Sequence, residues 1–240
     1  MSLELFKLST KQVKQVVTIK KNKSLDQSRH RLAHKITDNE LRIFQIYYQP
    51  WQLELLDSQF IPLDNSENSS ELLELDVFKR LADSDQVVGA QLWGALSWRF
   101  GEKTHLAGIE LVRQIKAHPG YDIYYCNPEI INEALFHNLW LQGEISHPNF
   151  LILCKAFFEA TDLPLEELTG VATSNSYSST NSFVGTPQFW KTYLRWIVNL
   201  LNKADKNLSS DFKNMLHSSK ADDRGLHKEA TYVPFIVERL

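Results

Sequence analysis

The chain has 240 residues, of which 43% are hydrophobic, and it contains six Trp, eight Tyr and thirteen Phe. That composition is typical of a folded globular protein and excludes an intrinsically disordered one. The formal net charge of -3 gives no overall argument for nucleic-acid binding.

The sequence shows neither a transmembrane run nor a signal peptide. No apolar run approaches the roughly 20 residues needed to span a bilayer. The opening residues MSLELFKLSTKQVK lack the apolar region of a signal peptide. We therefore expect a soluble cytoplasmic protein.

Residues 1–40 are basic and have no stable hydrophobic period. Residues 1–35 contain nine Lys or Arg against Glu4 and Asp26. Such a segment either contacts an anionic membrane surface or RNA, or is a solvated extension. Only Phe6 interleaves the charges, which disfavours single-stranded nucleic acid. Its stretch KQVKQVVTI fits either a strand or a short helix, and we predict an extension over 1–40 and a folded domain over 41–240.

Alternating strand and helix patterns follow. The β-branched and aromatic run in LRIFQIYYQP predicts a buried strand that Pro50 ends. The segments FIPL, DQVVGAQLWGALSWRF and YDIYYCNP are further strand candidates. The glycines of DQVVGAQLWGALSWRF indicate a bend or a close approach of another backbone. Between the strands, SELLELDVFKRLAD and GIELVRQIKAHPG predict amphipathic helices.

The second half is predicted to be mostly helical. The segments PEIINEALFHNLWLQGE, PNFLILCKAFFEATD and PQFWKTYLRWIVNLLNKAD each keep one apolar face. Strands alternating with helices, followed by helices, predict an α/β layered domain with a mostly helical C-terminal half. The sequence ends on IVERL, which reads as the interior of an apolar helix, so we expect the natural protein to continue past Leu240.

The cysteines and the aromatic residues of the last long helix are predicted to be structural. Cys126 and Cys154 lie in apolar surroundings without metal-ligand spacing, which favours buried, reduced side chains. Helical spacing assigns four aromatic residues to the core and not to sugar binding: Phe189, Trp190, Tyr193 and Trp196.

Polar residues follow three of the predicted strands. Tyr48 and Gln49 follow the first, Asp64 and Asn65 follow FIPL, and Asn127 follows YDIYY. Ligands of open α/β sheets bind outside the carboxyl ends of strands, where these side chains could bond a nucleotide or a sugar. The alternative is that they form ordinary turns, which use the same residue types.

Glu133 and His137 are spaced i, i+4 within a predicted helix and would share one face. A carboxylate beside an imidazole can move protons or orient a sugar hydroxyl. The motif H-E-x-x-H of metal-dependent peptidases is absent, so the pair alone does not predict a metal site. The alternative is an ion pair on the helix surface.

The stretch SSKADDRGLH, residues 218–227, is the second titratable cluster. It combines two adjacent carboxylates, Asp222 and Asp223, with Arg224 and His227. A guanidinium suits phosphate, and an imidazole titrates near neutral pH. The stretch is either the acid/base end of an active site or a solvated loop. No Walker loop, GxGxxG, GxSxG, paired CxxC or EF-hand loop occurs, so any active site must be assembled from separate loops.

The order of several segments resembles a family. RIFQIYYQPWQLELLDSQFIPLDN, ELDVFKRLADSDQVVGAQLWGALSWRF, YDIYYCNP and NSFVGTPQFWKTYLRWIVNLLNKAD, with FIVERL at the end, are similar to bacterial glycosyltransferases of capsule and lipopolysaccharide synthesis. The resemblance covers roughly residues 41–240. It implies a GT-A-like, Rossmann-like nucleotide-binding sheet flanked by helices. It also implies transfer of a sugar from a nucleotide-sugar donor to a cell-surface glycan or lipid-linked acceptor, at the inner face of the membrane if the basic extension binds there.

The resemblance also implies positions for the donor. Tyr48, Gln49 and Pro50 would lie near the donor base, with Asp64 and Asn65 nearby. Nucleic acid is not an expected partner.

The metal and the catalytic base are less well defined by the resemblance. It places a metal-binding acidic motif near Asp122 or Asn127, but no D-x-D occurs between residues 87 and 128. Dependence on Mg²⁺ or Mn²⁺ therefore stays open. An inverting transferase needs a carboxylate base, for which the resemblance implies Asp222 or Asp223. Arg224 or His227 would then assist at the phosphate or the acceptor.

A reading from another class is a glycan- or partner-binding module without catalysis. The six Trp and many Tyr suit stacking against sugars. The missing D-x-D would follow naturally, and the apparent continuation past IVERL fits one module of a longer surface-polysaccharide protein.

Overall fold

The computed structural model describes residues 18–19, 37, 40–127, 130–173, 177–178, 180–218 and 230–240. The strands in these ranges are β1 (Thr18–Ile19), β2 (Leu41–Tyr47), β3 (Ile61–Asp64), β4 (Leu92–Ser97), β5 (Ile123–Tyr125) and β6 (Phe183–Gly185). The helices are α1 (Glu74–Ala82), α2 (Phe100–Thr104), α3 (Gly108–Ala117), α4 (Ile130–Leu135), α5 (Leu139–Ser146), α6 (Phe150–Thr161), α7 (Pro187–Asn207), α8 (Ser210–Leu216) and α9 (Tyr232–Val237).

Strands β2 to β6 form a mixed five-stranded sheet, and the two-residue β1 pairs beside β5 at its edge. The order across the sheet is β1-β5-β6-β4-β2-β3. Strand β2 is parallel to β3 and β4, whereas β6 is antiparallel to β4 and β5. Strands β2, β3, β4 and β5 therefore run in one direction, and we call the side on which they end the carboxyl edge.

This arrangement confirms the predicted α/β sheet with a mostly helical C-terminal region. Part of the predicted N-terminal extension contributes to the sheet, because Thr18–Ile19 of KQVKQVVTI pairs as a strand and not as a helix. Among the described residues, no helix combines the length and the apolar character needed to cross a membrane.

Strand β2 is rich in apolar residues because both faces of the sheet are covered. Successive side chains of a strand point to opposite faces. Ile43 packs with Leu111 of α3 on one face, while Phe44 and Ile46 pack with Phe78 of α1 on the other. The β-branched and aromatic run that predicted a buried strand is thus explained by helices on both sides.

The glycine in β4 permits a close backbone approach, as the sequence predicted. A Cβ atom on Gly94 would lie 2.4 Å from the carbonyl oxygen of Phe183 in β6. Gly89, in the turn before β4, has a φ of +80°, which a residue with a side chain rarely adopts. Two glycines in one segment therefore serve different purposes.

Helix α7 joins the sheet to the helical region through buried aromatic rings. The indoles of Trp93 in β4 and Trp190 in α7 stack with centroids 4.2 Å apart. Trp190 also donates a hydrogen bond from Nε1 to the carbonyl oxygen of Trp93, at 2.8 Å. Trp190 is in the core as predicted, whereas Trp196, further along the same helix, is 38% exposed.

Both cysteines are buried and free, which confirms the prediction that they are structural. Burial raises the pKa of the Cys126 thiol to about 12. Burial also raises the pKa of Cys154 well above its ordinary value. Neither thiol has the lowered pKa of a reactive cysteine.

The predicted helix in PEIINEALFHNLWLQGE is two helices. Helix α4 ends at Leu135, and α5 begins at Leu139 behind the N-cap residue Asn138. The Asn138 side chain accepts a hydrogen bond from Leu141 N and donates to the carbonyl oxygens of Leu168 and Gly170. An apolar period alone hides this break, because the polar side chain that causes it makes two of its bonds about 30 residues away.

Candidate functional site

The connections of the sheet reverse direction between β2 and β4. The chain leaves β2 towards β3 on one side, and it leaves β4 towards β5 on the other. In open α/β sheets, ligands bind in the crevice that forms at the carboxyl ends of strands where such a reversal occurs. We call the ends of β2 and β4, with the loops that follow them, the β2–β4 crevice.

A buried glutamine fixes the loops of the β2–β4 crevice. Gln45 is 2% exposed, and its Nε2 donates to the carbonyl oxygens of Ser97 and Trp98 at 3.3 and 3.2 Å. Its Oε1 accepts a hydrogen bond from Asp57 N at 2.7 Å, and Asp57 Oδ2 accepts one from Gly108 N at the start of α3. One buried amide therefore connects both loops, which preorganises the crevice.

Two tryptophans face each other across the β2–β4 crevice. Trp51 belongs to the 3-10 turn Pro50–Leu55 after β2, and Trp98 directly follows β4. Their rings meet edge to face with centroids 5.3 Å apart, and Trp51 is 58% exposed. The guanidinium carbon of Arg99 lies 5.9 Å from the Trp98 ring centroid. An exposed indole beside a guanidinium suits a ligand with a planar ring and an anionic group.

Arg99 is oriented by a neighbouring carboxylate. Its Nε and one terminal nitrogen, Nη2, donate to the two carboxylate oxygens of Glu102. These hydrogen bonds lower the pKa of Glu102, so the carboxylate stays ionised. Guanidinium carries five N–H donors, and the two on Nη1 are not used by Glu102 and so can meet a ligand.

The first two predicted site residues lie beside this crevice. The backbone N–H groups of Tyr48 and Gln49 both donate to Oε1 of Gln52, at 2.6 and 3.1 Å. Gln49 is exposed, whereas Tyr48 packs against the core beneath the sheet. Burial raises the pKa of the Tyr48 phenol, which therefore stays protonated. Gln49 has the better access to a ligand.

Asp64 and Asn65 lie at the end of β3 and line a separate cleft. Hydrogen bonds from Ser66 and from Tyr47 lower the pKa of the Asp64 carboxyl. Asn65 is 2% exposed, and its Oδ1 accepts a hydrogen bond from Arg80 of α1. We call the resulting space, of about 540 Å³, the Asp64–Arg80 cleft; its lining is Asp64, Asn65, Ser66, Glu67, Asn68, Ser69, Ser70, Asp76 and Arg80.

Asn127 and Glu133 come together at the carboxyl end of β5, but His137 does not share their helix. Asn127 Nδ2 donates to Glu133 Oε2 at 3.1 Å. Helix α4 ends at Leu135, so His137 lies beyond it and is exposed. The predicted common helix face of Glu133 and His137 is therefore wrong, because Asn138 starts a new helix.

Asp122, the candidate metal ligand, lies at the other end of β5. The strand begins at Ile123, so Asp122 precedes it while Asn127 follows it. The Asp122 carbonyl oxygen accepts a hydrogen bond from Thr186 N at 2.9 Å on that far side. Asp122 is therefore separated from the carboxyl edge by the length of the strand. Across the described ranges, no three His, Cys, Asp or Glu side chains are grouped so as to hold a metal ion.

The predicted catalytic residues Asp222, Asp223, Arg224 and His227 lie outside the described residues. The described residues on either side of their segment are held by one carboxylate. Glu71 lies 3.0 Å from Nδ1 of His217 and accepts a hydrogen bond from Thr231 Oγ1 at 3.2 Å. Glu71 follows Ser70 of the Asp64–Arg80 cleft. The two described flanks of the segment therefore lie beside this cleft.

Sequence reasoning missed Trp51, Trp98, Arg99 and Arg80. The first three lie within four residues of the ends of β2 and β4. Their positions just after strands were a signal in the sequence. The stretch SWRF, which contains Trp98 and Arg99, obscures that signal because it continues the aromatic pattern of the preceding strand. Arg80 gave no signal, because it lies on an ordinary amphipathic helix.

Known proteins add no constraint to this site. Comparisons with protein families, with curated proteins and with solved structures gave no match to the chain. The function is therefore inferred from the geometry of the carboxyl edge.

Proposed function

We propose that the chain is a glycosyltransferase with a GT-A-like fold, which transfers a sugar from a nucleotide-sugar donor to a glycan or lipid-linked acceptor. One observation carries the proposal: a tryptophan pair, of which Trp51 is exposed, and the guanidinium of Arg99 occupy the β2–β4 crevice. Sheets of this class bind their ligands at this reversal of strand order. A nucleotide offers a planar base and a diphosphate, which match the indoles and Arg99.

The donor base stacks on Trp51, and Gln49 is near enough in the chain to bond its edge. The diphosphate then meets Arg99, whose Nη1 is not engaged by Glu102. Glu102 holds the guanidinium in place and offsets part of its charge. Because the guanidinium is held in one orientation, the site selects a donor by the shape and orientation of its diphosphate as well as by its charge.

The sugar end of the donor points along the carboxyl edge towards β5. Strand β6 separates β4 from β5, so the two strand ends are two inter-strand spacings apart, roughly 10 Å. Asn127 and Glu133 lie there, with the carboxylate oriented by the amide. A carboxylate held in this way can accept a hydrogen bond from a sugar hydroxyl.

Transfer requires proton removal and stabilisation of the leaving group. The acceptor oxygen attacks the anomeric carbon, the bond from that carbon to the diphosphate oxygen breaks, and a carboxylate takes the hydroxyl proton. We propose Asp222 or Asp223 as this base, with Arg224 or His227 assisting. The contacts of Glu71 with His217 and Thr231 support this, since they hold both flanks of the segment near the carboxyl edge.

We assign no step of the proposed transfer reaction to a metal ion. Hard cations need several oxygen ligands, and the part of the chain that the structure describes groups no three candidate side chains. The positive charge of Arg99 meets the diphosphate in the proposed complex. Dependence on Mg²⁺ or Mn²⁺ is decided by assaying with and without Mn²⁺.

The test is donor turnover and binding. The protein is incubated with UDP-, GDP- and CMP-sugars, with and without Mn²⁺, and released nucleotide and thermal stability are measured. We expect release from one donor class and a higher Tm with its nucleotide, with turnover lost in Asp223→Asn while nucleotide binding persists. Unchanged turnover in this variant removes Asp223 as the base. No release and no change in Tm with any nucleotide would instead favour a glycan- or partner-binding module.

A further inference from the structure

The Asp64–Arg80 cleft differs in charge from the β2–β4 crevice. Its lining carries three carboxylates, Asp64, Glu67 and Asp76, against the single guanidinium of Arg80. Arg80 is already engaged, because Nε pairs with Asp76 at 2.9 Å and a terminal nitrogen donates to Asn65. A diphosphate in this cleft would meet net repulsion, whereas an uncharged ligand would not.

The unengaged groups of this cleft suit hydroxyls. Asn65 is almost fully buried, yet its Nδ2 has no hydrogen-bond partner within the described ranges. The Asn65 side chain acts on the Tyr48 phenol and offsets part of the rise in the pKa of that phenol, but no partner lies within ordinary hydrogen-bond length of Nδ2 in the described ranges. A buried donor without a partner is costly, so a ligand or solvent oxygen that reached it would be stabilising. Glu67 and the hydroxyls of Ser66 and Ser69 add acceptors and donors along the wall.

Hydrogen bonds fix the end of β3 that lines the cleft, and the cleft lacks a surface for stacking. Asn65 N donates to the Tyr47 carbonyl oxygen at 2.8 Å, and Asp64 Oδ1 accepts a hydrogen bond from Ser66 N at 2.9 Å. Its lining has no aromatic ring among the described residues, so a nucleobase gains no stacking partner there. The volume of about 540 Å³ lies within the range of small-molecule sites, roughly 300–1,000 Å³.

We propose that the Asp64–Arg80 cleft binds an uncharged sugar ring through its hydroxyls and rejects diphosphate. The ring comes from the acceptor glycan, because the ribose of the donor joins the base at Trp51 to the diphosphate at Arg99 and so stays in the β2–β4 crevice. This assignment of the source rests on the proposed function, whereas the preference for a neutral hydroxyl-rich ring does not. Asp64 and Asn65 would then belong to a sugar site that is distinct from the diphosphate site of the donor.

The test is a titration of the ¹⁵N-labelled full chain, followed at the backbone amides of Ser66, Asn68 and Arg80. The probes are methyl glucoside, methyl galactoside and methyl mannoside, the nucleosides uridine, guanosine and cytidine, and inorganic pyrophosphate. Saturable shifts with a methyl hexoside identify an acceptor ring, whereas shifts with a nucleoside alone would contradict the assignment of the cleft to the acceptor. Shifts with pyrophosphate at equal or lower concentration, or no shift with any sugar, would overturn the proposal. If hexoside binding persists while no nucleotide sugar is bound or hydrolysed, the proposed transferase fails and the cleft assignment stands.

Variants test the charge argument directly. Asp64→Asn with Glu67→Gln keeps the shapes of both side chains, and the amide oxygen introduced at position 64 can still accept the hydrogen bond from Ser66 N. We expect sugar affinity to fall at least roughly tenfold, because charged acceptors are replaced by neutral ones, and pyrophosphate to begin to shift the same amides. The single variant Glu67→Gln changes an exposed side chain, so it is the variant least able to affect folding. Glu159→Gln on α6 is the matched control, and equal sugar affinity in the double variant and this control would refute the assignment.

Discussion

The carboxylate of Glu71 and Nδ1 of His217 lie 3.0 Å apart, although 146 positions separate them in the chain. Glu71 also accepts a hydrogen bond from Thr231, so one side chain holds both described flanks of the segment that contains Asp222 and Asp223. Because Glu71 adjoins Ser70 of the Asp64–Arg80 cleft, these described flanks lie next to the cleft. The contribution of the Glu71–His217 contact to stability and its role in turnover can be measured separately.

Glu71→Ala is predicted to lower turnover while changing the free energy of unfolding little. Both partners are substantially exposed, and exposed ion pairs contribute about 1 kcal/mol or less. Losing the anchor should nevertheless lower turnover by roughly tenfold, since misplacement of a catalytic group is costly. Urea unfolding and donor turnover measure the two effects. Glu166→Ala, at an exposed position of the 3-10 turn before residue 169, is the control. Full turnover in Glu71→Ala would show that the anchor has no catalytic role.

Trp51→Ala is predicted to weaken nucleotide binding without destabilising the fold. The side chain is 58% exposed, so little buried surface is lost. Stacking of a base on an aromatic ring contributes about 1–3 kcal/mol, which corresponds to roughly five- to 150-fold in Kd. Isothermal titration with the nucleotide that raises Tm measures it. Trp196→Ala removes another exposed indole from α7 and should leave Kd unchanged. An equal loss of affinity in both variants would count against the crevice.

Gly94→Ala is predicted to destabilise the sheet where β4 meets β6. The added Cβ would lie 2.4 Å from the Phe183 carbonyl oxygen, which is backbone and cannot rotate away. Overpacking of this kind costs about 1–3 kcal/mol or more. Gly101→Ala in α2 is the paired control, since its Cβ would meet nothing nearer than 4.0 Å and Ala favours a helix. Urea unfolding should give opposite signs for the two, and equal stability of Gly94→Ala and wild type would contradict the packing.

The buried thiols are predicted to be unreactive until the chain unfolds. The pKa of Cys126 is raised from an ordinary value of 9.0 to about 12, so at pH 8 only about one thiol in ten thousand is ionised. Because the folded pKa is the higher one, the thiol favours folding below pH 9, and that contribution is lost as the pH rises towards 12. Iodoacetamide should label Cys126 and Cys154 in urea but not in native buffer at pH 8. Rapid native labelling would show that the thiols are accessible.

The sequence predicted the elements that have their own periodicity. Strand β2 and helix α3 were evident because apolar residues recur over seven or more positions in each. Strand β6 was not predicted, since Phe183–Gly185 is three residues long and follows a Ser- and Asn-rich stretch. Its strand identity comes from pairing with β4 and β5, which lie far away in sequence.

Prediction of the site from the sequence was limited in the same way, to features with a local pattern. Tyr48, Asp64 and Asn127 could be selected because each follows a recognisable strand. The pairing of Trp51 with Trp98 depends on β2 and β4 being neighbours, and no local pattern encodes that adjacency. The position of Asp122 has a simpler cause, because YDIYYCNP contains both Asp122 and Asn127 and the strand Ile123–Tyr125 lies between them.

The proposed function requires that a nucleotide-linked sugar bind in the β2–β4 crevice. A crystal structure with the nucleoside diphosphate that raises Tm most tests this requirement. We expect a base ring packed against Trp51 and a diphosphate oxygen within hydrogen-bond distance of Arg99. A nucleotide bound at the opposite edge of the sheet, beside Asp122, would contradict it.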